Sequence, residues 1–498
     1  MNVWKRTVER TVDQRDLVLP PTWSRRAAKS AAPVEALGIL RSDPTRVVAQ
    51  EVCRAITEAR QMVVVSSFLL ADKFVEGALQ SCARRGVRVY MLLASETRLE
   101  KDPREDESRD VAMVEQHRAM LKDLAGWAFL RSSEAFHAKT VLVDPGGTNP
   151  RGWLLTSNLT REALERNEEL AVRLNAAETR AAFAQLRWAF WERAQHELRD
   201  PGLFQSVNPM GRVSAPAGSD GILATAGTAS VLRERFLSEV RAAKRQIVVA
   251  SFGWSETHPA VQTLCERAAH GVQVIVLARP RPVAMPALLA LAKSGARVFG
   301  FPWLHAKALL VDEQRGLVMS ANLEPHGLDE GFELGVVLDD RRVEGLAQML
   351  TGWANSAPFE LAMAPRVGDL SGACLVWRES ALQPYEVLPE REQALSPMVA
   401  QSADAIERAE LPLPAQRDLP TPAHVLRLTC SVSAPQLGAK AEPVKVPNTE
   451  MVSGGASLYR ERSGRVVVAV TTPEQLSDAR RLADESGAAA IVVREELR

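Results

Sequence analysis

Residues 136–144 read FHAKTVLVD, and residues 304–312 read LHAKALLVD. Both fit H-x-K-x4-D, a His, a Lys and an Asp at fixed offsets inside an apolar, β-branched run. A repeat of this kind constrains the fold more than composition does, because one supersecondary unit must be built twice and its copies must pack. The likeness extends to both sides. ARQMVVVSSF (59–68) matches KRQIVVASF (244–252), short apolar runs of the buried-strand type. Each follows a helical pattern and precedes another. A second strand comes next, GVRVYMLLAS (86–95) or GVQVIVLARP (271–280), whose leading Gly suits a helix C-cap. Shorter segments, GWAFLRSS and GARVFGFP, lead into the HAK runs. WLLTSNL or LVMSANL and then NEELAVRL or FELGVVL close the copies.

Alternating strands and helices predict an α/β fold with sheets covered on both faces. The HAK strand and its successor are joined too closely for a helical crossover, so that pair must be antiparallel. Each copy is therefore expected to be a mixed-sheet αβα unit, the two packed as a pseudo-twofold dimer. A chain of 498 residues holds more than these copies. The expected divisions are an N-terminal arm (1–44), a first unit (45–200), a second unit (201–361), a Pro-rich linker (362–450) and a small C-terminal module (451–498). In the module, Pro473 opens and Gly487 closes a helix between two apolar strands, a βαβ-like element suited to oligomerisation or to other proteins of a larger assembly.

The copies differ in two places. Gly86 to His137 spans 51 residues against 34 from Gly271 to His305. The excess is the charged run SETRLEKDPREDESRD (95–110), expected as a solvated surface insertion rather than a lid. PGGTNPRG (145–152) replaces EQRG (313–316), a longer loop.

The HAK alternation carries the chemistry. Alternate residues of an extended segment face one side, so His137 and Lys139 point together, as do His305 and Lys307. Thr156 and Asn158 form a second such pair, matched by Ser320 and Asn322, and Glu169 and Glu333 follow. Lysine charge and asparagine amide donors suit the non-bridging oxygens of a phosphate. Histidine is the natural nucleophile or proton donor near neutral pH, and a carboxylate on its far nitrogen fixes the tautomer. Two such sets face to face describe a two-histidine phosphate-transfer site.

These residues resemble the phospholipase D superfamily over roughly 45–345. The registers agree: His305 to Asn322 is 17 residues and His137 to Asn158 is 21, and the difference is the longer loop. Thr156 stands where a Ser is usual, and neither copy has the Gly common just before that position. The resemblance implies chemistry without metal or cofactor, through a covalent phosphohistidine. It implies His137 as nucleophile and His305 as acid, with Lys139, Lys307, Asn158 and Asn322 on the phosphate and Glu169 and Glu333 orienting the rings. Asp144 and Asp312 are expected to support the fold locally rather than react, and Thr156 and Ser320 to support the site.

The substrate is the least constrained. Net charge is zero, so nothing global selects nucleic acid or an anionic membrane. Five scattered cysteines without CxxC fit a reducing compartment. The N-terminal residues lack a signal-peptide core, and no window approaches ~18 apolar residues. These features predict a cytoplasmic phosphodiesterase, foremost a nuclease acting on DNA or RNA, with Arg84, Arg85 and Arg88 lining a groove. A phospholipid hydrolase or phosphatidyltransferase is the alternative, and a phosphate-binding scaffold without turnover the third. Trp303, two before His305, is expected to share its side, foremost as a packed aromatic.

Overall fold

A computed structural model describes residues 18–27, 31–95, 99, 111–199, 204–208, 211, 213–226 and 229–387. It also describes strand segments at 428–429, 441–443, 457–461, 466–470 and 490–493. Most of the charged insertion, the first 17 residues and the helix expected between Pro473 and Gly487 lie outside the described residues. The chain divides into two compact units, Arg26–Leu361 and Met1–Arg25 with Ala362–Arg498.

The larger unit contains the repeat. Its first copy runs β1 (Ile39–Arg41), α1 (Val47–Thr57), β2 (Met62–Ser67), α2 (Lys73–Arg84), β3 (Arg88–Ala94), α3 (Val111–Leu124), β4 (Phe129–Ser133), β5 (Thr140–Val143), β6 (Arg151–Leu155), β7 (Leu170–Leu174) and α4 (Ala176–Glu192). Its second copy runs β8 (Ile222–Ala226), α5 (Val231–Arg241), β9 (Gln246–Ser251), α6 (Pro259–Ala269), β10 (Gln273–Ala278), α7 (Met285–Lys293), β11 (Arg297–Gly300), β12 (Ala308–Val311), β13 (Arg315–Met319), β14 (Leu334–Val337) and α8 (Asp340–Ser356). The sheets share one order: β4-β3-β2-β5-β6-β7-β1 in the first, β11-β10-β9-β12-β13-β14-β8 in the second. In each, the two pairs β2–β3–β4 or β9–β10–β11 are parallel and the rest antiparallel. The mixed α/β sheet expected of each copy is what the chain forms.

The parallel strands are buried on both faces, which is why MVVVSS and QIVVAS read as continuous apolar runs rather than alternations. One apolar cluster draws residues from both copies, among them Phe136, Leu186, Phe332 and Leu346. The equivalent helices α4 and α8 meet through a buried ion pair. Asn175 and Asp339 cap them, and the residues three further on, Glu178 and Arg342, bond each other at 2.5 and 2.9 Å.

The structure refines two expected boundaries. β1 lies within the stretch expected as an arm, yet it pairs with β7. At three residues it is too short to show a period. In the smaller unit, Thr22–Arg25 pairs with Ala373–Arg378, which forms a hairpin with Ala381–Glu386. The hairpin opens the stretch expected as linker. Its two turn residues, Glu379 and Ser380, both have positive φ (46° and 65°), the backbone a tight two-residue turn needs. A five-stranded sheet lies further on, where Val466–Val470 and Ala490–Val493 pair parallel, as the βαβ-like reading requires. Among the described residues, no helix is long and apolar enough to cross a membrane.

Candidate active site

Ser66, near the end of β2, pairs with Thr140, the first residue of β5, and Ala250 pairs with Ala308 in the same way. His137 and Lys139, and His305 and Lys307, therefore leave their sheets at the carboxyl ends of the parallel strands, where open α/β sheets place ligands. The HAK residues were expected inside the strand; they precede it. Their backbone instead pairs with the opposite copy. The N–H groups of His137 and Ala138 donate to the Phe332 carbonyl at 3.1 and 2.8 Å, and those of His305 and Ala306 to the Glu168 carbonyl at 3.1 and 2.9 Å. Equivalent residues of the two copies thus make reciprocal contacts.

The side chains cross in the same sense. His137 Nδ1 lies 2.5 Å from Glu333 Oε1, and His305 Nδ1 lies 2.6 Å from Glu169 Oε1. Each glutamate is clamped within its own copy. The Thr156 hydroxyl donates to Glu169 Oε2 at 2.6 Å, and the Ser320 hydroxyl to Glu333 Oε2 at 2.5 Å. Thr156 and Ser320 use the same hydroxyl oxygen for this bond. Burial pushes both carboxyls up. The charge and hydrogen bond of the facing imidazole, then the nearby lysine and the hydroxyl, outweigh it and hold both below the usual carboxylate range. An ionised carboxylate only accepts, so this network assigns a proton to Nδ1 of each imidazole and turns Nε2 toward the site.

Lys139 Nζ lies 2.9 Å from His137 Nε2 and donates to the His137 carbonyl at 2.9 Å. Lys307 Nζ lies 3.1 Å from His305 Nε2 and donates to the His305 carbonyl at 2.6 Å. Both lysines are fully buried, and Asn158 and Asn322 lie buried just beyond β6 and β13. Asn322 Oδ1 accepts from the Gly253 N–H at 3.3 Å. Phe68 and Phe252 meet His137 and His305 edge-on, at ring separations of 5.3 and 4.7 Å. Sequence reasoning did not single out these aromatics, although SSF and ASF end on them at matching offsets.

The motif aspartates bond backbone rather than the histidines. Asp144 accepts from the N–H groups of Arg60, Gln61 and Met62 at 2.9, 2.7 and 2.9 Å. Asp312 does the same with Lys244, Arg245 and Gln246 at 2.9, 2.7 and 2.9 Å. Burial raises both carboxyls and the backbone donors more than reverse it, leaving both lowered. Each fastens the end of its HAK strand to the start of the neighbouring strand.

The expected arginine groove is elsewhere. Arg88 opens β3 opposite Met62, at the strand ends remote from Ser66 and Thr140, roughly 13 Å along the sheet. Arg85 is committed to the Thr57 carbonyl at 2.6 Å.

A family model described as "Cardiolipin synthase, PLD-like domain" matches residues 52–191 and 236–355, just over half of the chain. Among curated proteins, cardiolipin synthase A of Buchnera aphidicola subsp. Acyrthosiphon pisum (strain Tuc7) is 25% identical over 123 residues, 22% of this chain and 25% of that protein. Cardiolipin synthase A of Serratia proteamaculans (strain 568) is 28% identical over 119 residues, 22% and 24%. The chain thus spans about a quarter of the length of the curated relatives it matches. Among solved structures, phosphatidylserine synthase from Haemophilus influenzae Rd KW20 has 12% identity and a TM-score of 0.48, over 70% of this chain and 90% of that one. The phospholipase D family member Nuc from Salmonella typhimurium has 20% identity and a TM-score of 0.26, over 28% and 96%. The family match and the curated relatives overturn the nuclease expectation, since both carry phospholipid-synthase descriptions. That expectation rested on lacking a membrane span or export signal, which does not bear on what enters the site. The paired motifs and the two matched regions agree: the chain belongs to the phospholipase D superfamily, with PLD-like domains of the cardiolipin synthase family.

Proposed function

We propose that the protein cleaves or exchanges the phosphodiester of a phospholipid head group through a phosphohistidine. His137 Nε2 attacks phosphorus, the bond to the head-group oxygen breaks, and that oxygen takes a proton from His305. An alcohol or water then gives its proton back to His305 and attacks phosphorus, releasing His137. Lys139, Lys307, Asn158 and Asn322 stabilise the charge on the non-bridging oxygens. The carrying observation is the crossed anchoring of each imidazole by the other copy's glutamate, which supports a coupled nucleophile and acid. The cardiolipin synthase relatives support a phospholipid as substrate and an alcohol as acceptor.

The test uses the full chain with phosphatidylglycerol and phosphatidylethanolamine vesicles in chelator, with products followed by lipid mass spectrometry. Wild type is expected to turn over head groups, and Lys139→Ala and Lys307→Ala each to lose about a hundredfold or more. Absence of lipid turnover by wild type, or full turnover by both variants, would overturn the reading.

A further inference from the structure

The two copies surround their histidines almost equivalently, so each is a control for the other. Ser67 pairs with Leu93 and Ser251 with Ala278. The next residue along the outer strand is Ala94 in the first copy and Arg279 in the second. Two residues before the motif histidine stand Ala135 and Trp303. Three before the ring-anchoring glutamate stand Arg166 and Glu330. Because the copies cross, Arg166 reaches the His305 side. There its guanidinium lies 3.8 Å from the Trp303 ring centre, and that of Arg279 lies 4.9 Å from the same ring. Arg281 lies 4.0 Å over Phe252, the ring that meets His305. The positions equivalent to Arg166, Arg279 and Trp303 for His137 are Glu330, Ala94 and Ala135.

Two guanidiniums set against one exposed indole form a fixed cationic surface with forks suited to phosphate oxygens. The reacting phosphate is already served by the buried lysines, and the first copy manages without such a surface. The added cations therefore suit a second anion. If His305 is the acid, the leaving and accepting alcohols lie on its side. We infer that Arg166, Arg279 and Trp303 form a subsite for a phosphate carried by the alcohol that leaves or accepts the phosphatidyl group. This inference rests on the phosphatidyl-transfer reading above.

The experiment compares kcat/KM for glycerol 3-phosphate against glycerol as acceptor, and for phosphatidylglycerophosphate against phosphatidylglycerol as donor. The first arm reports an accepting alcohol and the second a leaving one. Wild type is expected to favour the phosphorylated member in at least one arm. Arg166→Gln and Arg279→Gln are expected to lower that ratio by about tenfold or more, and Glu330→Gln to leave it unchanged. An unchanged ratio in both arginine variants, or an equal fall in Glu330→Gln, overturns the subsite. Wild type inactive on every lipid would instead defeat the phosphatidyl-transfer reading. The subsite is then judged by calorimetry of glycerol 3-phosphate: binding weakened about tenfold in Arg279→Gln at unchanged melting temperature supports it. Equal binding, or none to wild type, overturns it.

Discussion

Each imidazole in the site depends on a relay of three residues, Thr156 to Glu169 to His305 and Ser320 to Glu333 to His137. The hydroxyl holds the carboxylate, and the carboxylate fixes the ring. Thr156→Ser should keep activity on phospholipid, and Thr156→Val should lose about tenfold or more, measured as kcat, because Glu169 loses a donor. Glu168, next door, has the opposite electrostatics. Burial and the charge of Glu169 push its carboxyl up to about 7, against its own backbone hydrogen bond, Arg41 and Arg279. A raised carboxyl favours folding below its unfolded value of 4.5, and this is lost as pH rises through about 7. Glu168→Gln lacks that loss. Its stability relative to wild type should therefore climb between pH 4 and pH 8, by up to about 3 kcal/mol in urea denaturation. At this scale the motif showed which residues gather. It did not show that Glu169 serves His305 rather than His137, because spacing along a chain carries no information about which copy a side chain meets.

Among elements, the repeat was legible because strands buried on both faces leave continuous apolar runs, and those runs recur in order. The placement of HAK was not. An extended segment keeps its alternation whether it pairs inside a sheet or bridges to another copy, so period alone cannot separate the two. What fixes the end of β5 and β12, and with it their register, is the aspartate after each, with positive φ (48° at Asp144, 54° at Asp312) and three backbone donors. Asp312→Ala would leave those donors without their partner. It should lower unfolding free energy by about 2 kcal/mol or more, by urea denaturation at pH 7.

In the repeat unit as a whole, neither copy holds a complete site. The histidine and lysine of one are completed by the glutamate of the other, and the copies are joined by their shared apolar cluster and by Arg342 with Glu178. Glu178→Ala would leave the buried Arg342 guanidinium with Asp339 and the Arg173 carbonyl alone, and should cost about 2 kcal/mol or more in thermal or chemical unfolding, with activity lost in the same transition. The two-copy plan could be read from the sequence; its crossing could not, because it depends on which side chains of one copy meet the other. The substrate was misread for a different reason: charge balance and missing export features describe the surroundings of a site rather than its contents. The central claim is the covalent intermediate, and rapid-quench peptide mass spectrometry of full-length His305→Asn with phosphatidylglycerol vesicles tests it most directly. The account predicts a phosphatidyl adduct on the peptide containing His137. Lipid turnover with no adduct on His137, or turnover retained by both His137→Asn and His305→Asn, would contradict it.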